Sequence, residues 1–218
     1  MERNMSKVSL MWSTPNGEQL IAYMARVSNP SNQNNDATAS KLVKYLVDNN
    51  HWSPLDMVDM CVEIETTRDI ARQILRHRSF FFQEFSQRYA DPTKELSFEI
   101  AEMRFQDLKN RQSSVIPEAN IGNKMLKDTW YNYQMELVEK AKKTYQWAID
   151  NSIAKEVARK VLPEGITMSR MYMKGTIRSW IHYINVRTDA STQKEHRELA
   201  EQCKALLVAN YPSLKDIV

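Results

Sequence analysis

Residues 68–91 read RDIARQILRHRSFFFQEFSQRYAD. Between Tyr45 and Thr93 there is no lysine, and every strong cation is an arginine: Arg68, Arg72, Arg76, Arg78 and Arg88. Guanidinium is planar, forked and permanently charged. A segment restricted to it is suited to hold phosphate or carboxylate in fixed geometry. A solvated basic helix face is the competing reading. Such faces do not usually carry Phe80, Phe81 and Phe82, followed here by Gln83, Glu84, Ser86 and Tyr89. Within one helical turn, Arg76, His77 and Arg78 point in different directions. The tripeptide can therefore touch two ligands, or one ligand and a neighbouring subunit. Glu84 and Ser86 offer acceptors that suit ribose hydroxyls or a base edge, and Arg88 offers a further anion clamp.

The elements that must position this segment follow from hydrophobic spacing. Val8–Met11 fits a short strand. Residues 16–27 form a helical pattern with Leu20, Ile21, Met24 and Val27 as its apolar stripe. Asp36 is the expected N-cap of a second helix carrying Leu42, Val43, Leu46 and Val47, which ends before Pro54. From Asp56 to Glu65, Val58, Met60, Val62 and Ile64 alternate with Asp59, Cys61, Glu63 and Glu65, the signature of a strand with one wet face. Thr66 or Thr67 then caps a helix that places Arg68, Arg72 and Arg76 on one side and Ile70 and Ile74 on another. Residues 95–106 alternate loosely, and 110–123 read as loop. A long amphipathic helix is expected from Lys124 to about Asn151, with Met125, Leu126, Met135, Leu137, Val138, Tyr145 and Ile149 apolar. A short helix from Ile153, a strand over 167–174 and helices over 176–186 and 192–210 complete the pattern.

The totals narrow the class. A chain of 218 residues with 42% hydrophobic and 26% charged residues is an ordinary globular composition. A net charge of +3 is too weak to mark a nucleic-acid binder by itself. No window approaches the roughly 18 uninterrupted apolar residues of a membrane span, and MERNMSKVSLMW lacks the apolar core of a signal peptide. Cys61 and Cys203 form no redox or metal spacing, so a reducing, cytoplasmic setting is expected. With 4 glycines, neither GxGxxG nor a P-loop can be written. Any phosphate binding then falls mainly to side chains. No repeat or linker divides the chain.

RHRSFFFQEFSQRY resembles the signature of the flavin-dependent thymidylate synthases, Arg-His-Arg, seven residues, then Ser; here these are Arg76, His77, Arg78 and Ser86. Glu84, Arg88 and Tyr89 are also similar to the family. ARVS at 25–28, HWSP at 51–54, VARKVLP at 157–163 and RSWIHYINVRTD at 178–189 resemble further family segments in the same order. The resemblance extends from roughly residue 20 to residue 200. It implies an α+β (mixed α/β) fold, with a central, largely antiparallel sheet flanked by long helices, in a single domain over residues 1–218.

The resemblance also implies roles. FAD would lie against Arg76, His77 and Arg78, with Ser53, Glu84, Thr176, Arg178 and His182 contributing. The nucleotide dUMP would be held by Gln73, Ile74, Leu75 and Arg76, by Glu84, Phe85, Ser86, Gln87 and Arg88, and by Arg159. Arg187 would sit by the uracil and help ionise N3. The implied co-substrates are 5,10-methylenetetrahydrofolate and NADPH, and the implied assembly is a homotetramer with shared sites. The family's route to dTMP uses no enzyme cysteine, which agrees with the position of Cys61 and Cys203 outside the signature. Three residues depart from common family choices: Gln83 stands where many members carry Asn, His182 where some carry Asn and Ser191 where some carry His.

Other readings stay open at this stage. His51 either ends a helix or lies near flavin or folate, and His182 is either a helix histidine bonded to a carbonyl or a flavin contact. His196 is expected at the surface, and Arg68 and Arg72 in solvent or ion pairs. Methionines fill core gaps. Trp52 and Phe80 to Phe82 could stack on a ligand or pack an interface. No His pair or carboxylate-His cluster fits a metal. Two other functions remain: an Arg-aromatic module gripping RNA or single-stranded DNA, and a helical scaffold docking an acidic partner.

Overall fold

The computed structural model describes residues 6–218. Met1–Met5, the start of the stretch considered above as a leader, lie outside them. The chain forms β1 (Lys7–Ser13), α1 (Gly17–Ala25), α2 (Ala39–Asp48), β2 (Asp59–Thr67), α3 (Arg68–Ile74), β3 (Phe81–Glu84), α4 (Pro92–Glu95), β4 (Phe105–Gln106), β5 (Ser114–Val115), α5 (Ile121–Asp150), α6 (Lys155–Ala158), β6 (Met168–Thr176), α7 (Ile177–Arg187) and α8 (Lys194–Asn210). Four strands make one sheet in the order β1-β2-β6-β3, and β4 pairs with β5 in a two-stranded antiparallel ribbon. This is the expected mixed α/β fold with an antiparallel sheet. No described helix is long and apolar enough to cross a membrane.

The described residues group into two compact units. The first holds Ser6, Glu65–Ile74 and Glu84–Arg170; the second holds Lys7–Ile64, Leu75–Gln83 and Met171–Val218. In the second unit, α7 is anchored at both chain and side-chain level. Ile177 N donates to Val58 O at 2.9 Å, and the buried Trp180 Nε1 donates to Met60 O at 3.0 Å. Trp180, Tyr183, Ile184, Leu199, Cys203 and Leu207 are without exposed surface, so α7 and α8 contribute a buried core to this unit. In the first unit, Val138, Ala141, Tyr145 and Ala148 recur at spacings that keep one face of α5 buried, and Tyr145 and Ala148 cluster with Ala158.

Several expectations change. The helix bearing Arg68 and Arg72 ends at Ile74, so Arg76 lies in a turn and does not continue the row. The Phe run has period two: Phe80 is 6% exposed, Phe81 is 73% exposed and Phe82 is half-buried, which is strand behaviour. Phe80 fills the space beside Gly175, where a Cβ would collide with its ring. The strand expected from Asp56 begins at Asp59, because Ser53–Met57 is a 3-10 turn started by Pro54. Cys61, placed on the wet face, is buried; β2 is an inner strand with a neighbour on each side. Asp36 sits in its own 3-10 turn and does not cap α2, whose N-cap residue is Thr38. Of residues 95–106, only Phe105–Gln106 is strand, with an isolated bridge from Phe98 to Thr167, and 110–123 contains β5 and the start of α5. Met125, Leu126 and Leu137 are exposed, since α5 buries little before Val138.

Candidate active site

Arg187 lies in the last turn of α7, where the helix dipole favours a cation. Its Nε donates to Nε2 of His77 at 2.9 Å. Sequence separation of 110 residues is closed by that one bond, which brings two of the expected site residues together. The imidazole stands edge-on to Tyr183, ring centroids 4.9 Å apart at 83°. The Tyr183 hydroxyl is bonded to His196 Nε2 at 3.1 Å. His196 is therefore wholly buried rather than at the surface. Burial, reinforced by Arg187, His182 and Arg76, holds His77 down to about 4. Burial, with Arg187 and His77 adding to it, holds His196 down to about 3. Both rings are neutral near pH 7, and burial pushes the Tyr183 phenol well above its usual range.

A second set converges on the 3-10 turn that begins at Ser53. Asp56 accepts from Thr176 Oγ1 at 3.1 Å and from Arg178 Nη1 at 3.0 Å. Thr176 also caps α7 by accepting from Ser179 N. Trp52, Asp56, Ser79, Arg178, His182 and Asn185 line an open cavity of about 650 Å³ in this unit. Arg76 and Arg78 are exposed on the turn between α3 and β3. A flat aromatic wall, a pinned guanidinium and nearby exposed arginines fit a planar ligand that carries phosphates. His51 closes the turn after α2 by donating its backbone N–H to Leu46 O at 2.7 Å, and its ring lines another cavity of the same unit with Arg26 and Tyr45.

The first unit holds the remaining predicted residues. Glu84 is the hub: its carboxylate accepts from Arg72 Nη1 at 3.2 Å and from Ser169 Oγ at 2.8 Å, and lies 3.6 Å from Arg68 Nη1. Arg68 and Arg72 also meet Glu164, as their ion-pair reading anticipates. Arg88 pairs with Glu156 at 3.4 Å in solvent. Phe85 N donates to Arg170 O, Ser86 Oγ accepts from Arg88 N at 3.4 Å, and Gln87 is buried with its Nε2 unpartnered. Gln73 is half-buried on α3, Ile74 is buried at its end, and Arg159 is half-buried in a 3-10 turn. A larger cavity of about 760 Å³ in this unit is walled by Phe98, Ile100, Trp130 and Tyr131 and contains none of the expected site residues. Size alone therefore does not mark the chemistry.

Sequence reasoning missed Asp56, Tyr183 and His196. Asp56 was hidden in a stretch with strand-like alternation; the Pro54 turn was the available signal. Tyr183 lies six residues after the Ile177 that starts α7, on the same face as Trp180, and helical spacing could have found it.

The sheet, the helix-end arginine and the pinned Arg178 define an α/β protein built to bind an anionic, ring-bearing ligand. The family profile described as thymidylate synthase complementing protein matches residues 9–213, and the chain belongs to that family, the flavin-dependent thymidylate synthases. A protein of Paramecium bursaria Chlorella virus 1 named probable flavin-dependent thymidylate synthase is 48% identical over 200 residues, 90% of this chain and 88% of its own. The flavin-dependent thymidylate synthase of Synechocystis sp. is 48% identical over 198 residues, covering 90% and 87%. The solved UMP/dUMP methylase PolB of Streptomyces cacaoi, bound with 5-Br UMP, superimposes with a TM-score of 0.80 over 99% of this chain and 96% of that one, at 23% identity, and shows the same fold.

Proposed function

We propose that this chain catalyses the reductive methylation of dUMP to dTMP, with 5,10-methylenetetrahydrofolate as carbon donor, FAD as redox cofactor and NADPH as reductant. The observation that carries the reading is Arg187, a full positive charge held at the end of α7 by a neutral imidazole. Uracil C5 must gain electron density before it can accept a methylene carbon. A guanidinium beside the ring stabilises the anion left by loss of the N3 proton, and it needs no reorganisation to do so. Bound flavin supplies the hydride that completes the methyl group.

The other route to C5 activation is attack by a thiolate, and the cysteines oppose it. Burial raises the Cys61 thiol and pushes Cys203 up to about 12. Neither is a nucleophile at neutral pH. Nucleotide phosphate falls to Arg76 and Arg159. The other contacts in this reading are the buried Gln87 amide, which lacks a partner for Nε2, the rest of the stretch from Glu84 to Arg88, and Gln73, Ile74 and Leu75. FAD falls to Ser53, Arg76, His77, Arg78, Glu84, Thr176, Arg178 and His182, of which Thr176 and Arg178 share the Asp56 anchor.

The two units act as one domain in this reading, since the family match runs without interruption from 9 to 213. A homotetramer is supported by the exposed apolar side chains of α5, among them Ile121, Met125, Trp130, Tyr133 and Trp147. A cytoplasmic setting suits two unpaired cysteines. A nucleic-acid grip is disfavoured, because Arg68, Arg72 and Arg88 already meet carboxylates.

The test is a dTMP-forming assay with dUMP, methylenetetrahydrofolate and NADPH on purified, yellow protein. Arg187→Ala should keep its flavin and lose about 100- to 1000-fold in turnover, the usual cost of one aimed transition-state donor. Full turnover in that variant would remove Arg187 from C5 activation, and a colourless, inactive wild type would remove the reading altogether.

A further inference from the structure

We propose that His77 is a positioning residue for Arg187, aiming the two terminal amino groups of that guanidinium at the substrate. The proposal rests on the reading of Arg187 as the group beside the uracil.

The chemistry of the contact is asymmetric. Arginine Nε–H can only donate, so Nε2 of His77 must present its lone pair and the ring proton must sit on Nδ1. With Nε engaged, the guanidinium keeps only the fork of its terminal nitrogens for a ligand, the geometry that suits two acceptor atoms side by side. A carboxylate at position 77 would hold the arginine as well. It would also cancel the charge that the substrate anion needs. A neutral acceptor fixes direction and leaves the charge uncompensated.

The imidazole is itself held. Its edge contact with Tyr183 is backed by the bond from that phenol to His196, and both of these residues are without exposed surface. Tyr183 is packed in turn against Trp180, ring centroids 5.8 Å apart, and against Phe80 at the same separation. The charged and titratable groups that face His77 are Arg187, His182 and Tyr183 from α7, Arg76 beside it and His196 from α8. The three cationic or ionisable neighbours Arg187, His182 and Arg76 all oppose its protonation, as burial does, so the acceptor form persists over the working pH range. Burial first, then Arg187, His182 and Arg76, keep it neutral, and its neutrality is what Arg187 requires.

Two substitutions separate this role from a stacking role. His77→Gln keeps a neutral acceptor and loses the ring; His77→Phe keeps the ring against Tyr183 and loses the acceptor. In flavin-loaded enzyme both variants should lose activity, since His77 also belongs to the proposed flavin set, but His77→Gln should keep at least about tenfold more kcat than His77→Phe. His77→Phe should lose about 100-fold or more, mostly in kcat, because a misaimed donor fails in the transition state. A Phe variant as active as the Gln variant, or more so, would overturn the proposal. Nitrogen-15 NMR of the ligand-free protein gives a readout independent of turnover. The Arg187 Nε–H signal, assigned by its loss in Arg187→Lys, should exchange slowly in wild type and in His77→Gln and rapidly in His77→Phe. Should His77→Phe fail to fold, the wild-type signal still decides: exchange at the solvent rate would overturn the proposal. A wild type that makes no dTMP yet shows a protected Nε–H would sink the functional reading and leave the contact standing.

Discussion

In the unit built from α7 and α8, an arginine meets a neutral ring; in the unit that carries Glu84, two arginines meet two carboxylates. Arg187 is tied by one hydrogen bond to His77 and keeps its charge. Arg68 and Arg72 spend theirs on Glu84 and Glu164. The first arrangement holds a cation ready for a ligand. The second uses cations to hold a carboxylate, and Ser169 completes the hold on Glu84. The chain therefore contains two kinds of arginine, and only the partner tells them apart.

Acid should break the comparison most strongly. His77 and His196 have folded-state values of about 4 and about 3, below the ordinary 6.5, so the folded chain binds fewer protons than the unfolded one between those limits. Their stabilising contribution is full above pH 6.5 and is lost as pH falls through that window. By pH 4.5 the wholly buried His196 accounts for on the order of 2–3 kcal/mol, and the partly buried His77 for no more than that. Hydrogen exchange followed peptide by peptide should show α7 and α8 losing protection between pH 6.5 and 4.5. Unchanged protection of both helices at pH 4.5 would contradict the buried, neutral assignment.

Glu84→Gln sharpens the other side. The substitution keeps size and some hydrogen bonding but removes the charge between two guanidiniums, of which Arg68 has only 12% of its side chain exposed. Leaving that cation less compensated should cost about 1–3 kcal/mol, seen as a fall in melting temperature. A variant as stable as wild type would mean that Glu164 alone satisfies both arginines.

Much of this was legible in the chain, and for physical reasons. The alternation of Val58, Met60, Val62 and Ile64 reports an inner face directly, and all four are buried. The Arg-His-Arg motif picked out His77, which meets Arg187, but helical spacing hid the turn it occupies. What stayed hidden depended on partners far away in sequence. His196 looks like any polar residue in a charged helix until Tyr183 is seen opposite its ring. Asp56 looks like a strand residue until Pro54 converts its segment into a turn facing Thr176 and Arg178. The exposed Met125 and Leu126 have the right period for a core, but period says nothing about what covers a face.

The smallest effect belongs to Glu164→Gln, and it completes the comparison within one cluster. Glu164 touches the same two arginines as Glu84, at 3.1 Å from Arg72 and 3.6 Å from Arg68. Contact distance alone would rank the two carboxylates as equals. Their surroundings differ: the Glu164 side chain is 53% exposed, that of Glu84 19%. Water screens the first pair and replaces its lost contacts, so its removal should cost about 0–1 kcal/mol. Arg68 keeps Glu84 in that variant, so no half-buried charge is stranded. Paired melting curves of Glu84→Gln and Glu164→Gln test this directly. Equal shifts would mean that burial does not set the strength of these pairs, and that the hub lies between the arginines themselves rather than at Glu84.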